Sequence, residues 1–346
     1  MRIDIHSHTA PATYIEAIRS DPKSMGCRIE KDDQGGESIV QENGRSTRLR
    51  PSLIDPERRL RQVAAEQIDV IVESLLPPLF PLWAPTAIAV RVCQIVNDAI
   101  AEDAVRFSGR MVGMGIVPLQ DVGEAVRELD RIVKQHRMPS VLIPASVYGK
   151  NFDEPEFFPF FERAQELDVL IFIHPHEVAA ADRLKRYALA NLIGNPLETT
   201  IAQASLIFGG VLERLPNLKI CCAHAGGYSP WIRGRWRHGH GSRHEAREVI
   251  TRPVYQYLSR FYFDTCIFDR DSLEFLIRIM GSEHVLLGTD YPTPMIDAGQ
   301  VSAINGIEGL TAEDKEKVLG GNAARLLGLK GRPPHPSLSP ADGGEG

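Results

Sequence analysis

The sequence predicts an α/β chain folded as a distorted (β/α)8 TIM barrel. Three observations lead there. Short β-branched runs alternate with longer helical stretches along most of the chain. Several runs, VLIFIH and LKICCAH among them, are apolar almost throughout, as parallel strands buried on both faces are. A length of 346 residues, 43% hydrophobic and 24% charged, suffices for one large barrel with a core that needs no disulfide staples.

The elements follow in order. The first strand is expected over Arg2–His6. A polar stretch rich in Gly, Asp, Glu and Arg, about residues 20–52, then interrupts the pattern as an insertion; an excursion of that length reads as a functional lid. A helix over Pro56–Gln67 starts at Asp55-Pro56, an N-cap acid with proline in the first turn. It leads into strand Ile68–Leu76. Helix Pro85–Phe107 precedes strand Met111–Val117, and helix Val122–His136 precedes Ser140–Ala145. Helix Pro155–Leu167 feeds Val169–His174, and Pro196–Leu215 feeds Leu218–His224. Helices Ser229–Arg237 and Arg270–Met280 stand before strands Phe261–Cys266 and His284–Asp290. A last helix, near Ala312–Leu327, is capped by Thr311. Residues 1–330 make one domain. Residues 331–346 are Pro- and Gly-rich and are expected to be disordered.

Composition narrows the function. The net charge of -6, from 39 basic and 45 acidic residues, argues against a nucleic-acid partner. Five cysteines without a CxxC pair argue against a disulfide framework or zinc ribbon and fit a reducing compartment. MRIDIHSHTAP lacks the apolar core of a signal peptide, and no run approaches the ~18 apolar residues of a membrane span. A soluble cytoplasmic protein with no membrane partner is expected.

The chemistry-bearing residues sit at strand ends. His6 and His8 are two apart on the first strand and so share a face. An HxH pair alone is a weak signal. His174 closes the fifth expected strand, however, His224 the sixth and Asp290 the eighth. A barrel brings those ends to one mouth, where active sites of this architecture lie. Imidazoles and a carboxylate suit zinc or a similar divalent ion with a position left for water or substrate. Such an ion lowers the pKa of water to ~7, and a neutral His224 nearby can accept its proton.

The chain is similar to the amidohydrolase superfamily, in the branch of α-amino-β-carboxymuconate-ε-semialdehyde decarboxylase and γ-resorcylate decarboxylase. The matching segments include RIDIHSH, RPSLIDPERRL, IFIHP, NPLETTIAQASLIFGG, KICCAHAGG, RFYFDTCIF and HVLLGTDYP, spread over roughly residues 1–328. The resemblance implies a metal-dependent barrel that forms a homodimer or higher homo-oligomer. It puts His6, His8, His174 and Asp290 on the metal-ligand positions and His224 on the catalytic histidine. It also makes Arg50 and Arg235 anchors for substrate carboxylates, Arg235 reaching a neighbouring subunit's pocket. Guanidinium groups suit that task, since they pair bidentately with carboxylates and stay charged. Binuclear relatives carry a carbamylated lysine on the fourth strand. Here that strand reads SVLIPAS and Lys150 lies past its end, so one ion is expected, zinc or alternatively manganese.

Departures fall around the pocket. His176-Glu177 follow Pro175, Tyr187 takes the aromatic position further along, and Thr293 follows Pro292, which makes the pocket more polar. His176 and Tyr187 are candidate substrate contacts. His238, His240 and His244 read as solvated surface or dimer contact. The expected reaction is non-oxidative decarboxylation of a small unsaturated or aromatic carboxylic acid, like a carboxymuconate semialdehyde or a hydroxybenzoate, with His224 or Asp290 as proton donor. The alternative is a metal-dependent hydrolase or hydratase acting on a lactone, amide or unsaturated acid.

Overall fold

The computed structural model describes residues 1–296 and 298–329; the tail expected to be disordered lies outside the described residues. Eight parallel strands run β1 (Ile3–Thr9), β5 (Val70–Leu75), β6 (Met111–Ile116), β7 (Ser140–Pro144), β8 (Leu170–His174), β9 (Lys219–Cys222), β10 (Phe261–Asp264) and β11 (Val285–Leu286), each bonded to the next. The Ile5 N–H donates to the Leu287 carbonyl, and Ser7 bridges in parallel to Tyr291, which closes the circle from the last strand to the first. The architecture is therefore the expected TIM barrel. Strands β5, β7 and β8 are buried at every residue, as their near-continuous apolar sequences require. Amphipathic helices such as Val122–Lys134, which buries Ala125, Leu129 and Ile132, cover the outside.

Local signals hold at the helix starts. The Asp55 carboxylate accepts from the backbone N–H groups of Glu57 and Arg58. Thr311 and Asp314 form a reciprocal capping box. Three helices differ from expectation. The stretch expected as Pro196–Leu215 breaks into Asn195–Phe208 and Val211–Arg214, because Gly210 adopts a φ of 76° between them. The final helix is interrupted at Gly320, where a Cβ would stand 2.1 Å from the Met1 carbonyl oxygen; the chain start needs that space. The helix after β9 runs longer than expected, over Ser229–Ser242, so His238 and His240 are helical.

The insertion is ordered. A helix over Ala12–Ser20 precedes a three-stranded antiparallel sheet of β2 (Cys27–Lys31), β3 (Glu37–Gln41) and β4 (Ser46–Arg48). Its inner face buries Ile39, Gln41, Thr47 and, just beyond, Leu49. The Gln41 side-chain amide donates to the Pro78 carbonyl after β5, and Arg45 meets His176 just after β8. Strands β6 and β7 lie between those two contacts in the sheet. The small sheet thus spans the barrel mouth along one side and leaves the side above β9–β11 open.

Candidate metal centre

Four side chains converge inside the mouth. One ligand atom each from His6, His8, His174 and Asp290 lies within 4.8 Å of the other three, and all four residues are buried. Alternation along β1 points His6 and His8 the same way, with their Nε2 atoms 3.0 Å apart. Asp290 Oδ1 stands 3.2 Å from His8 Nε2 and 3.5 Å from His6 Nε2.

The neighbours determine which nitrogen of each ring faces inward. His6 Nδ1 lies 2.6 Å from the Asp264 carboxylate, which accepts its proton. His8 Nδ1 lies 3.1 Å from Ser74 Oγ. The Ser74 hydroxyl already donates to the Ser7 carbonyl, so it accepts from His8. His174 Nδ1 lies 2.7 Å from the Pro175 carbonyl, which can only accept. All three rings therefore carry their proton outward and turn Nε2 lone pairs into one small buried volume. Lone pairs that close repel unless a cation lies between them. Asp290 Oδ1, buried and without a hydrogen-bond donor, belongs to the same cluster. Three neutral nitrogens and one carboxylate suit a divalent ion and leave positions for other ligands.

The electrostatics agree. Burial, eased a little by Asp290, pushes His8 down to about 4. Burial followed by the charges of His224, His6 and His8 puts His174 well below the ordinary imidazole range. Burial opposes ionisation of Asp290, but the His6 and His8 rings beside it outweigh that and hold the carboxyl low. His6 alone is raised: burial disfavours its cation, while Asp290 and then Asp264 favour it more. His8 and His174 are thus neutral and Asp290 ionised at pH 7, while Asp290 and Asp264 draw positive charge towards His6.

His224 stands beside these rings, its centroid 4.9 Å from that of His174 and 5.5 Å from that of His6. It opens a tight elbow, His-Ala-Gly-Gly, in which all four residues have positive φ. Such backbone persists only where its surroundings hold it. The Ala225 N–H donates to Asp264, Gln203 donates to the Gly226 carbonyl, and the Tyr228 N–H donates to Thr200. A Cβ on Gly227 would lie 2.0 Å from the Pro196 carbonyl oxygen, so only glycine lets the elbow approach the helix. Asp290, the other non-glycine residue of the cluster with positive φ, has a φ of 57°. The His224 Nδ1 is buried and has no partner. Burial, then the charge of His6, lowers its pKa, so the ring is neutral at pH 7. A cavity of about 370 Å³ opens onto His224 and Asp290 on the β9–β11 side, with Cys266, Tyr228, Trp231 and Leu192 on its walls.

Residues 3–329 match the Amidohydrolase family. The chain belongs to that family. This amidohydrolase is 34% identical over 333 residues to the 2-amino-3-carboxymuconate-6-semialdehyde decarboxylase of Dictyostelium discoideum, spanning 95% of this chain and 92% of the relative. It is 28% identical to a γ-resorcylate decarboxylase of Polaromonas, spanning 81% of this chain and 90% of the relative. The dihydroxybenzoic acid decarboxylase of Polaromonas, solved with manganese and the inhibitor 2-nitroresorcinol, superposes with a TM-score of 0.78 at 23% identity, over 95% of this chain and 97% of that one.

Other expected site residues lie apart from this cluster. Arg50 is exposed at the start of the short helix Pro51–Ile54, and Arg235 is exposed on helix Ser229–Ser242; neither lines the 370 Å³ cavity. Tyr187 is 73% exposed, with the Arg186 guanidinium over its ring. His176 is half-buried on the far side of the mouth, its ring 5.4 Å from that of Phe80.

Sequence reasoning passed over Asp264, Ser74, Gln203 and Thr200. Asp264 carried a usable signal: it ends its strand with an acid, as Asp290 follows its own. An Asp264→Asn amidohydrolase is expected to lose about 10- to 100-fold in metal affinity, because His6 is no longer held by a carboxylate. Competition against a chelator reads this directly, and unchanged affinity would place Asp264 outside the metal's support.

Proposed function

We propose that this protein is a metal-dependent non-oxidative decarboxylase, a carboxy-lyase acting on a small unsaturated or aromatic carboxylic acid. The observation that carries the reading is a half-buried His224, its buried Nδ1 without a partner, beside a converged cluster of three histidines and one aspartate, in a chain whose relatives over nearly full length are named decarboxylases. His6, His8, His174 and Asp290 would hold one divalent ion, zinc first and manganese as the alternative. When bound, that ion supplies Lewis acidity that stabilises negative charge developing on the substrate.

The chain's own residues supply the rest. Loss of carbon dioxide breaks a carbon–carbon bond and leaves its electron pair on the substrate, where a proton must be delivered. His224 is neutral and free at Nδ1, so it can accept a proton from water or a substrate hydroxyl and pass one to carbon. Asp290 is the second candidate donor. Trp231 and Leu192 give the open side of the cavity apolar walls.

Arg50 and Arg235 stay in this reading as carboxylate anchors, with Arg235 serving a second copy of the chain in a homodimer or larger assembly. Its exposure on the open helix supports that geometry. Tyr187 and His176 remain candidate substrate contacts. A cytoplasmic setting belongs to the same reading, supported by five cysteines that are all unpaired. Among the described residues no helix is long and apolar enough to cross a membrane.

The test is mass spectrometry of products from zinc-loaded protein given carboxylated muconates, hydroxybenzoates, pyridine carboxylates and lactones. A product lighter by carbon dioxide is expected. A product heavier by water would move the protein to the hydratase or hydrolase class.

A further inference from the structure

Of the four histidines that meet inside the barrel, three are held by their own rings and one is not. Nδ1 of His6 is tied to Asp264, that of His8 to Ser74 and that of His174 to the Pro175 carbonyl. The His224 ring makes no hydrogen bond among the described residues. Its place is set by its backbone and by packing against the His174 and His6 rings. That backbone is unfavourable by itself, since His224 and Ala225, with φ of 56° and 54°, carry a Cβ in the left-handed region. The elbow keeps its shape, and His224 its place, only while neighbouring elements hold it.

Two elements do so. On one side the Asp264 carboxylate of β10 accepts from the Ala225 N–H at 2.8 Å through one oxygen and from His6 through the other. On the other side stands helix Asn195–Phe208, where Gln203 is 0% exposed, a rare place for a glutamine. Its Nε2 lies 2.7 Å from the Gly226 carbonyl and 3.2 Å from the Thr199 carbonyl. Carbonyls only accept, so the two of them fix the amide with its nitrogen toward the elbow, and Oε1 accepts from Ser229 Oγ at 2.8 Å. Gly226 is wedged in place: a Cβ there would stand 2.5 Å from the Phe263 ring of β10 and 3.4 Å from Gln203 Nε2. Thr200, three residues before Gln203, accepts from the Tyr228 N–H at 2.7 Å.

We propose that Gln203 is a positioning residue, which holds the Gly226 carbonyl and thereby fixes the His224 ring over the cluster. The decarboxylase reading supplies the reaction that His224 serves; the placement itself belongs to the chain. Ser229 cannot take over the task. Its hydroxyl lies 3.0 Å from the Gly226 carbonyl, but it belongs to the same turn of chain, so that bond travels with the elbow and ties it to nothing else. Without the Gln203 donor the peptide after Gly226 is free to turn, and His224 turns with it. A proton donor displaced by about 1 Å loses on the order of 100-fold in rate.

The test uses the zinc-loaded full chain with ¹³C in the histidine rings. The Cε1–H signal of His224, assigned by its absence from His224→Ala protein, reports the ring's place among its neighbours. Gln203→Met keeps the length of the side chain and removes the donor, and Ser229 still covers the freed carbonyl, so the fold is expected to survive. In this variant the His224 signal is expected to move and broaden while those of His6, His8 and His174 and the metal content stay. With an acid that wild type decarboxylates, kcat falls about 10- to 100-fold at unchanged KM, the mark of a group used only in the transition state. If Gln203→Met does not fold, Gln203→Asn, whose amide is one carbon too short to reach Gly226, is read in the same way. Thr199→Val is the control, because that hydroxyl is bonded only within its own helix; its His224 signal and kcat are expected to match wild type. A His224 signal unmoved in the Gln203 variant, equal disturbance of all four ring signals, or the same change in Thr199→Val overturns the proposal. If wild type releases carbon dioxide from no acid, the reaction reading fails and the His224 signal alone decides the role of Gln203.

Discussion

His174→Ala protein is expected to purify folded but without its metal ion, with turnover reduced roughly a thousandfold or more, since both charge stabilisation and substrate placement depend on that ion. His174 is the contribution of β8 to the cluster, its Nδ1 tied to the Pro175 carbonyl and its Nε2 turned inward. Alanine leaves His6, His8 and Asp290, one donor short. Elemental analysis of the purified variant checks the metal, and an activity assay checks the chemistry. A variant that keeps both removes His174 from the site and the proposed chemistry with it.

His224→Ala is expected to give the opposite pattern. The ion stays, because His224 is not among the four converging ligands, while kcat falls by about 10²- to 10⁴-fold with the loss of a positioned acid–base group. The wild-type pH profile carries the same signature. Burial, then the charge of His6, holds the His224 pKa below its ordinary 6.5, so the neutral base is present at pH 7 and is lost as pH falls through that lowered value. The acid limb of kcat/KM therefore lies below pH 6.5 and disappears in the variant. An acid limb that persists unchanged assigns it to another group.

The contrast between the two variants rests on features read at different levels. His6, His8, His174, His224 and Asp290 were legible because the barrel is close to a one-dimensional code. Strands alternate in period two, their C-terminal ends share one mouth, and chain position alone says which side chains meet. The helix caps at Asp55 and Thr311 were legible because capping is settled within four residues.

The insertion was half legible. Its polar composition hides three strands, although Asn43-Gly44 between β3 and β4 is a hairpin signal in plain view. Short strands that bury only part of their residues lack the continuous apolar runs that revealed the barrel. The last helix was misjudged for a related reason: its break at Gly320 answers to Met1, which packs there from the opposite end of the chain.

By itself the sequence determined the barrel, the family, the four side chains that converge in the mouth and the histidine beside them. Only the tertiary structure decided how those side chains are held and what surrounds them. Asp264 orients His6 from 258 residues away, Ser74 orients His8 from 66, and Arg45 reaches His176 from 131. Periodicity reports which face a residue takes within its own element. It carries no information about which distant element folds over that face, because hydrogen bonds and ion pairs across the mouth depend on separations in space that many different sequences can produce.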